Sequence, residues 1–307
     1  MTTMDGAPIV VLSRNLSDPD AQRWLAGRAR IRIGALEELT EAEGLIAVWP
    51  TVVDRALLAR APRLRVIATV TAGTEHVDLR AAEERGITVV SGAGAAPDAV
   101  IEWAIWAMIG LSRRFAFAAR RFDDGTWDWR ARFADGRSHQ LTGRTLGVVG
   151  LGHIGRGLAH VASATFGMRV LGFDPYADPV PGVTATSFDE LLDGSDIVSL
   201  HLPLTDATRG LIGRDELQRI GPDGILIDAS RGGVVSENAV IEALRTGELG
   251  AAALDVFSEE PPSAATVSGL VATGRVVLTP HAAGVSTAAL RALNRRAVEQ
   301  VIAVLRP

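Results

Sequence analysis

The sequence predicts an α/β protein made of two doubly wound domains, each with a parallel sheet between layers of helices. Short apolar runs alternate with helical segments along most of the chain, which is the pattern of a parallel sheet. A glycine-rich turn near residue 150 starts a second series of this alternation. Because that series lies between an N-terminal unit and a last helix, we expect a discontinuous first domain, 1–97 with 287–307, and a second domain, 98–286.

The first domain alternates four apolar runs with three helical segments. The predicted strands are 9–12, 45–49, 64–70 and 87–90, and the predicted helices are 18–27, 54–60 and 79–85. The turn 71–74 follows the third strand. Open α/β sheets bind ligands at the carboxyl ends of their strands, so this turn is a candidate binding loop.

The predicted helix 98–114 is apolar on nearly every side. Such a helix is buried, here between domains or between subunits, and Trp103 and Trp106 fit an interface. We therefore predict a homodimer built on this helix. The next stretch, 120–140, is rich in Arg, Asp, Gly and Trp and predicts an irregular connection.

The second domain begins with the sequence Gly150-Leu-Gly-His-Ile-Gly155, between an apolar run and a helical segment. In this strand–turn–helix context the motif indicates a Rossmann-like dinucleotide site. Gly150 permits the tight turn, Gly152 lets the backbone approach a pyrophosphate, and Gly155 lets the helix pack closely on the strand. The free N–H groups at the helix start would hold the phosphates. The alternative, a glycine turn in some other βαβ unit, fits this context less well.

Asp174 ends the second strand of this unit, where a carboxylate can accept hydrogen bonds from a ribose diol. The same carboxylate would repel a 2′-phosphate, and the following residues 175–177 offer no arginine. The sequence therefore predicts NAD rather than NADP as the cofactor. Further strands are predicted at 196–200, 224–228, 250–255 and 275–279, and further helices at 214–220, 237–245 and 287–305.

Composition limits the classes of function. The 307 residues are enough for two domains. The formal net charge of −5 argues against a nucleic-acid or anionic-membrane surface. The absence of cysteine excludes disulfides, thiolate catalysis and cysteine-ligated metals, and we expect no metal site. No apolar run approaches the length of a membrane span, so we predict a cytoplasmic protein without membrane partners.

Four later segments, taken with the glycine motif, resemble the D-isomer-specific 2-hydroxyacid dehydrogenases, which include glyoxylate/hydroxypyruvate reductases and phosphoglycerate dehydrogenases. The segments are HLPLTDATRGLI (201–212), LIDASRGGVVSENAVIEAL (226–244), ALDVFSEEPP (253–262) and TPHAAG (279–284). In the first domain, VTAGTEHVDL (70–79) resembles the family's substrate loop. The resemblance implies a substrate-binding domain, an NAD-binding domain and an active site in the cleft between them.

The resemblance also implies three catalytic residues. Arg231 matches the substrate arginine, whose fork would grip an α-carboxylate and polarise the ketone. His281 matches the acid/base histidine, and Glu260 matches its carboxylate partner, which favours the imidazolium form. By themselves, a solvated arginine and a structural histidine would be the ordinary interpretations.

The remaining expected contacts follow the same resemblance. The backbone N–H groups of Ala72 and Gly73 match those that hold the substrate carboxylate, together with Arg231. Asp255 matches the residue that binds the nicotinamide carboxamide. The other expected cofactor contacts are His153 and Ile154 at the pyrophosphate, Ala229, Ser230 and Arg231 at the nicotinamide ribose, and His281.

Departures from the family pattern limit the range of substrates that we expect. Phosphoglycerate dehydrogenases carry an arginine where Thr69 aligns, and phosphite dehydrogenase carries a lysine where Ala72 aligns, so neither phosphorylated acids nor phosphite are expected. Trp49 suggests an apolar pocket wall. Asp228 and Ser236 replace a common Asn and a common Asp, and the sequence offers no interpretation of either change.

The resemblance therefore implies an NAD-dependent oxidoreductase that interconverts a D-2-hydroxy acid and a 2-ketoacid by hydride transfer. One alternative is an NAD(H)-sensing binding protein without turnover, since the same fold serves co-repressors. Another keeps the chemistry but acts on a phosphonate analogue. Turnover of 2-ketoacids with NADH would separate these readings.

Overall fold

The computed structural model describes residues 6–115 and 138–306, so most of the predicted connection at 120–140 lies outside the described residues. The chain divides into two compact units. One consists of Met1–Ala96 with Val285–Pro307, and the other is Pro97–Gly284. Among the described residues, no helix combines the length and apolar character needed to cross a bilayer.

The first unit contains a five-stranded, entirely parallel sheet in the order β2-β1-β3-β4-β5. Its strands are β1 (Ile9–Leu12), β2 (Arg30–Ile33), β3 (Gly44–Ala47), β4 (Val66–Thr69) and β5 (Thr88–Val90). The strands β1, β3 and β4 are buried along their whole length, as expected for a sheet with both faces covered. Strand β2 lies at the edge and is partly exposed.

Helices cover both faces of this sheet. They are α1 (Pro19–Ala26), α2 (Arg55–Ala59), α3 (Leu79–Glu84) and the last helix of the chain, α10 (Thr287–Leu305). One buried cluster joins α2 and α3 to one face of the sheet, and another joins α1 and α10 to the opposite face. The carboxylates of Asp18, Asp54 and Asp78 cap the first three helices by accepting backbone N–H groups, which fixes where each begins.

The second unit contains a seven-stranded parallel sheet in the order β12-β11-β10-β9-β6-β7-β8. Its strands are β6 (Thr145–Val149), β7 (Arg169–Phe173), β8 (Thr184–Ala185), β9 (Ile197–Leu200), β10 (Ile225–Asp228), β11 (Ala251–Leu254) and β12 (Val276–Leu278). Its helices are α4 (Pro97–Ser112), α5 (His153–Phe166), α6 (Phe188–Gly194), α7 (Arg214–Ile220), α8 (Glu237–Thr246) and α9 (Ala264–Ala272). A separate apolar cluster lies on each face of the sheet. Two doubly wound parallel sheets are the predicted fold class.

Helix α4 belongs to the second unit and packs against α5 and β10. Its buried positions, including Ile101, Ala104 and Met108, face this unit. Trp106 points away from that core and is 48% exposed. The helix is thus buried on one side within its own unit, and its apolar outer side is left on the surface of the described chain.

The strand order of the second unit reverses at β6, which has β7 on one side and β9 on the other. Such a reversal leaves a crevice at the carboxyl ends of the two strands, where ligands of α/β proteins bind. The glycine turn follows β6, and His201 follows β9. The glycine turn and the loop that begins at His201 therefore both lie at this switch point.

Candidate active site

Two glycines of the turn after β6 are required by the chain's own packing. Gly150 has a φ of 93°, and a side-chain carbon there would run into the carbonyl oxygen of His201. A side-chain carbon at Gly155 would run into the carbonyl oxygen of Gly150. Both positions therefore hold the turn closely against β9 and the start of α5, as the motif predicts.

Gly152 is different, because nothing in the protein requires a glycine there. Its φ is −72°, it is exposed, and no described protein atom lies within 4 Å of the position that a side-chain carbon would take. Gly152 caps α5, so the backbone N–H groups of His153 and Ile154 begin the helix just beyond it. An open glycine at a helix start, where N–H groups are free, fits the close approach of a pyrophosphate.

Asp174 follows β7 and ties the turn to this strand. Its Oδ2 accepts the backbone N–H of Leu151 at 2.8 Å, and its Oδ1 accepts the N–H of Tyr176 at 2.9 Å. Each carboxylate oxygen keeps a second lone pair that can accept a ribose hydroxyl. The half-buried Asp174 and the open glycine turn therefore fit NAD, and both lie where the sequence predicts them.

His201 lies beneath the glycine turn. Its Nε2 pairs with the Ser199 hydroxyl at 3.0 Å, while its Nδ1 is enclosed without a hydrogen-bond partner among the described residues. Burial lowers the pKa of His201 to about 4, so the ring is neutral at physiological pH. This agrees with a structural rather than a catalytic histidine.

Arg231 is held by the loop that follows β10. The buried carboxylate of Asp228 accepts both donors of Ser230 on Oδ1, the backbone N–H at 2.9 Å and the hydroxyl at 2.5 Å. The Ser230 carbonyl oxygen then accepts a hydrogen bond from Arg231 Nη1 at 2.7 Å. Burial raises the pKa of Asp228 to about 7, and the negative charges of Glu237 and Asp255 add to this shift.

His281 and Glu260 form the predicted pair. His281 Nδ1 lies 2.8 Å from Glu260 Oε2, and the other carboxylate oxygen, Oε1, accepts the backbone N–H of Phe257 at 3.1 Å. The backbone of His281 has a φ of 52°, an uncommon conformation for a residue other than glycine. Its N–H donates to the Asp255 carbonyl oxygen at 2.8 Å, which holds the residue in this conformation.

Asp255 has a supporting task that sequence reasoning missed. Its buried carboxylate accepts the Thr279 hydroxyl at 2.5 Å and the backbone N–H groups of Ala282 and Ala283 at 2.8 and 2.9 Å. The indole N–H of Trp103 in turn donates to the Thr279 hydroxyl at 3.1 Å. Asp255 thus anchors the loop that carries His281, and its predicted nicotinamide contact stays a prediction.

Glu237, at the start of α8, is a second residue that the sequence analysis missed. Its carboxylate accepts the backbone N–H of Ser258 at 2.6 Å and the Ser258 hydroxyl at 3.0 Å. Ser258 lies two residues before Glu260. The proximity of these loops is also visible at Gly232, where a side-chain carbon would collide with the Phe257 carbonyl oxygen. Acidic residues are common at helix starts because they interact favourably with the helix dipole, so the sequence alone does not indicate that Glu237 binds Ser258.

The structure therefore brings the predicted catalytic residues to one edge of one sheet. Arg231 follows β10, Glu260 lies in the loop after β11, and His281 lies in the loop after β12, and these strands are neighbours. The predicted ribose contacts Ala229 and Ser230 precede Arg231, Ala229 half-buried and Ser230 buried. Among the described residues, no group of three or more potential ligands could hold a metal ion.

The other predicted substrate residues lie in the first unit, in the loop after β4. Ala72 is exposed and Gly73 is half-buried. The loop is tightened by hydroxyl groups, since Thr71 Oγ1 donates to the Gly73 carbonyl oxygen at 2.8 Å and Thr69 Oγ1 lies 3.2 Å from the Thr71 carbonyl oxygen. Near it, the Trp49 and His76 rings meet edge to face at 5.9 Å, and Trp49 is 60% exposed.

The chain is similar in sequence and in fold to known proteins. A family model described as D-isomer specific 2-hydroxyacid dehydrogenase, NAD binding domain, matches residues 105–283. The chain is 36% identical over 276 residues to D-3-phosphoglycerate dehydrogenase of Methanocaldococcus jannaschii, covering 88% of this chain and 51% of that protein. It is 36% identical over 271 residues to glyoxylate reductase of Thermococcus litoralis, covering 85% of this chain and 80% of that protein.

The chain spans about half the length of the phosphoglycerate dehydrogenases that it matches. A solved structure, D-lactate dehydrogenase from Aquifex aeolicus complexed with NAD and lactic acid, is similar with a TM-score of 0.81 at 26% identity, covering 95% of this chain and 94% of that one. These findings confirm the predicted fold class, the resemblance and the NAD-binding character of the second unit. The chain belongs to the D-isomer-specific 2-hydroxyacid dehydrogenase family.

Proposed function

We propose that this protein is an NAD-dependent oxidoreductase that interconverts a D-2-hydroxy acid and a 2-ketoacid. The observation that carries the proposal is the contact between His281 Nδ1 and Glu260 Oε2 at 2.8 Å, on the same sheet edge as Arg231. Because Glu260 engages Nδ1, the other ring nitrogen, Nε2, is left to exchange a proton with a substrate oxygen. A hydroxyl–ketone reaction needs such a proton donor and acceptor.

Each residue has a distinct task in the proposed reaction. Arg231 binds the substrate carboxylate through its guanidinium fork and stabilises negative charge on the ketone oxygen. NADH, when bound, supplies the hydride for reduction, and NAD⁺ receives it in the reverse direction. His281 donates a proton to the ketone oxygen during reduction and takes it back from the hydroxyl during oxidation. Glu260 orients the ring and compensates the positive charge of the imidazolium.

The cofactor side of the proposal rests on the second unit. The N–H groups at His153 and Ile154 would hold the pyrophosphate, and Asp174 would accept the ribose hydroxyls. Ala229 and Ser230 would line the nicotinamide ribose beside His281, and Asp255 would orient the carboxamide. In the first unit, the N–H groups of Ala72 and Gly73 stay our prediction for the substrate carboxylate.

We infer that the substrate is a small acid without a phosphate group. Thr69 is fully buried and its hydroxyl is directed to carbonyl oxygens of its own loop, so this position offers no charge to a phosphate. Trp49 adds an exposed apolar surface after β3. The named relatives include glyoxylate reductases, which cover most of this chain, and glyoxylate and hydroxypyruvate are therefore the first compounds to test.

The test is oxidation of NADH against a panel of 2-ketoacids, with His281→Ala measured in parallel. We expect at least one ketoacid to turn over, and the variant to bind NADH with unchanged affinity while losing about a thousandfold in kcat. If NADH binds but no ketoacid reacts, the protein is a dinucleotide-binding protein or acts on another substrate class. A phosphonate substrate would appear as turnover with phosphonate analogues only.

We also propose that the protein forms a homodimer through the outer side of α4. The proposal is supported by Trp106, a large apolar side chain of this mostly apolar helix that is 48% exposed. Sedimentation equilibrium at micromolar concentration tests it, and a monomer at that concentration would exclude it. A cytoplasmic location stays a prediction from the sequence.

A further inference from the structure

Asp228 is a buried titratable group that the proposed reaction does not use. Only 1% of its surface is exposed, and it ends β10 three residues before the substrate arginine. A buried carboxyl group is expensive to ionise unless a cation pairs with it, and the two Ser230 groups that donate to Asp228 are neutral. An asparagine, which is common at this position in the family, does not ionise and so avoids this energetic cost.

The hydrogen bonds around Asp228 lead directly to Arg231. Oδ1 accepts both the N–H and the hydroxyl of Ser230, and the Ser230 carbonyl oxygen accepts Arg231 Nη1. A protonated carboxyl can keep both of its Ser230 bonds on Oδ1 and carry the proton on Oδ2. The side-chain amide of asparagine has the same shape, with its oxygen in place of Oδ1 and its NH2 group in place of Oδ2–H.

The charged groups around Asp228 oppose its ionisation. Glu237 faces it from the start of α8, and Asp255 follows β11, where its N–H donates to the Asp228 carbonyl oxygen at 2.9 Å. On the other side, β9 leads to His201, which is neutral above about pH 4. Arg231, in the same loop, is the nearby cation. The resulting pKa of Asp228, about 7, lies within the working range of an enzyme.

We propose that Asp228 is a positioning residue that sets both the place and the effective charge of Arg231, so that the protein binds 2-ketoacid anions more tightly when Asp228 is protonated than when it is ionised. The inference rests on the proposed function. Ionisation places a negative charge beside the residue that attracts the substrate carboxylate. Since this charge is buried, solvent screens it poorly, and the expected loss of substrate affinity is about tenfold.

The test compares wild type with Asp228→Asn, using the 2-ketoacid that turns over in the panel. The measured quantity is the ratio of kcat/KM, Asp228→Asn over wild type, from about pH 5.5 to about pH 9. Contributions that are common to both proteins cancel in the ratio. We expect a ratio near one at the lowest pH and a ratio of about ten at the highest pH. The increase should come from a higher KM of the wild type, with kcat little changed. Asp215→Asn removes an exposed, screened charge in the same unit and should give a flat ratio.

A second measurement does not depend on activity. Infrared difference spectra of wild type minus Asp228→Asn should show the carbonyl stretch of a protonated carboxylic acid at about pH 6 and lose it at about pH 9. A flat kcat/KM ratio, or the absence of this band at about pH 6, overturns the inference while ketoacid turnover keeps the proposed function. If no ketoacid turns over at any pH, the proposed function fails first and the inference fails with it.

Discussion

Gly152 and Gly155 stand three residues apart in one turn, but only Gly155 is required by the packing of the chain itself. A methyl group at Gly155 would meet the Gly150 carbonyl oxygen, whereas a methyl group at Gly152 would meet no described protein atom. The glycine at Gly155 is therefore needed for the chain to fold. The glycine at Gly152 is explained by a ligand that approaches the turn from outside the chain, so the two positions distinguish folding from cofactor binding.

We therefore expect Gly155→Ala to lower the free energy of unfolding by about 3 kcal/mol, because the backbone must move to relieve the overlap. Gly152→Ala should leave the thermal midpoint unchanged and weaken NADH binding by about tenfold or more. Thermal unfolding and NADH fluorescence titration measure the two effects. Loss of stability in Gly152→Ala without loss of NADH affinity would contradict this assignment.

The protonation of Asp228 also affects stability. Its pKa is raised to about 7 in the folded protein, whereas an unfolded aspartate ionises near pH 4. Between these values the unfolded chain releases its proton first, so the stability of the fold declines as pH rises from about 4 to about 7. Above about pH 7 the ionisation of Asp228 causes no further loss of stability.

Asp228→Asn removes this titration. The variant should gain stability relative to wild type by up to about 1.4 kcal/mol for each pH unit between about pH 4 and pH 7, and hold a constant advantage above. Urea unfolding of both proteins at several pH values measures the difference. An advantage that does not change with pH would mean that Asp228 does not titrate in this range.

At the scale of elements, the loop after β11 is braced from two sides. Glu237, at the start of α8, accepts two hydrogen bonds from Ser258, and Glu260 Oε1 accepts the Phe257 N–H. This bracing fixes Glu260, and through it the ring of His281. Because α8 also follows the Arg231 loop, one helix start helps to place all three proposed catalytic side chains.

Glu237→Ala should therefore lower kcat by about a hundredfold while NADH affinity stays within about threefold of wild type. Ser258→Ala is the matched control, since it removes the hydroxyl contact but keeps the stronger backbone N–H contact, and kcat should fall by less than about fivefold. Glu237→Gln keeps the size of the side chain and one oxygen that can accept the Ser258 N–H, while its NH2 group can donate to the Ser258 hydroxyl oxygen, so it should recover most of kcat. Equal losses in Glu237→Ala and Ser258→Ala would argue against the brace.

The sequence predicts the buried central strands well, because their apolar runs have no other explanation. It misses β2, whose sequence Arg-Ile-Arg-Ile alternates charge with apolar residues at a partly exposed edge. It also misses β8, which has two exposed residues, and the helices α6 and α9. Short elements whose stability comes from packing against a completed sheet carry little periodicity of their own.

For the candidate site, motif resemblance predicts Arg231, Glu260 and His281, and the structure places them in the loops that follow three neighbouring strands. It does not reveal the contacts that hold them. The sequence predicts Trp103 as an interface residue and Thr279 as the end of a strand. In the structure, both belong to the hydrogen-bond chain that reaches Asp255. Trp103 and Thr279 are 176 positions apart in the sequence, and Thr279 and Asp255 are 24 apart, so only the fold brings these residues together.

At the scale of the whole molecule, the two units have separate cores. Both apolar clusters of the second unit lie within Pro97–Gly284, and both clusters of the first unit draw only on the chain's two ends. The second unit is continuous in sequence, and it contains the glycine turn, Asp174 and the proposed catalytic side chains. Each unit thus has the apolar interior that an independent fold needs.

We expect the fragment 97–284 to fold by itself and to bind NADH within about threefold of the affinity of the full chain. Cooperative thermal unfolding followed by circular dichroism tests the first part, and fluorescence titration tests the second. The same fragment carrying Gly152→Ala is the control for specific binding. A fragment that melts without a cooperative transition would show that the second unit needs the first.

Helix α10 has a further consequence, for the order in which the chain folds during synthesis. The five strands of the first unit leave the ribosome early, but α10, whose apolar side covers β3 and β4, emerges only after the elements of the second unit. The second unit is complete before then. Until then, α1 is the helix that covers this face of the first sheet, so part of the face is exposed in the nascent chain, where a chaperone that shields apolar surface would act.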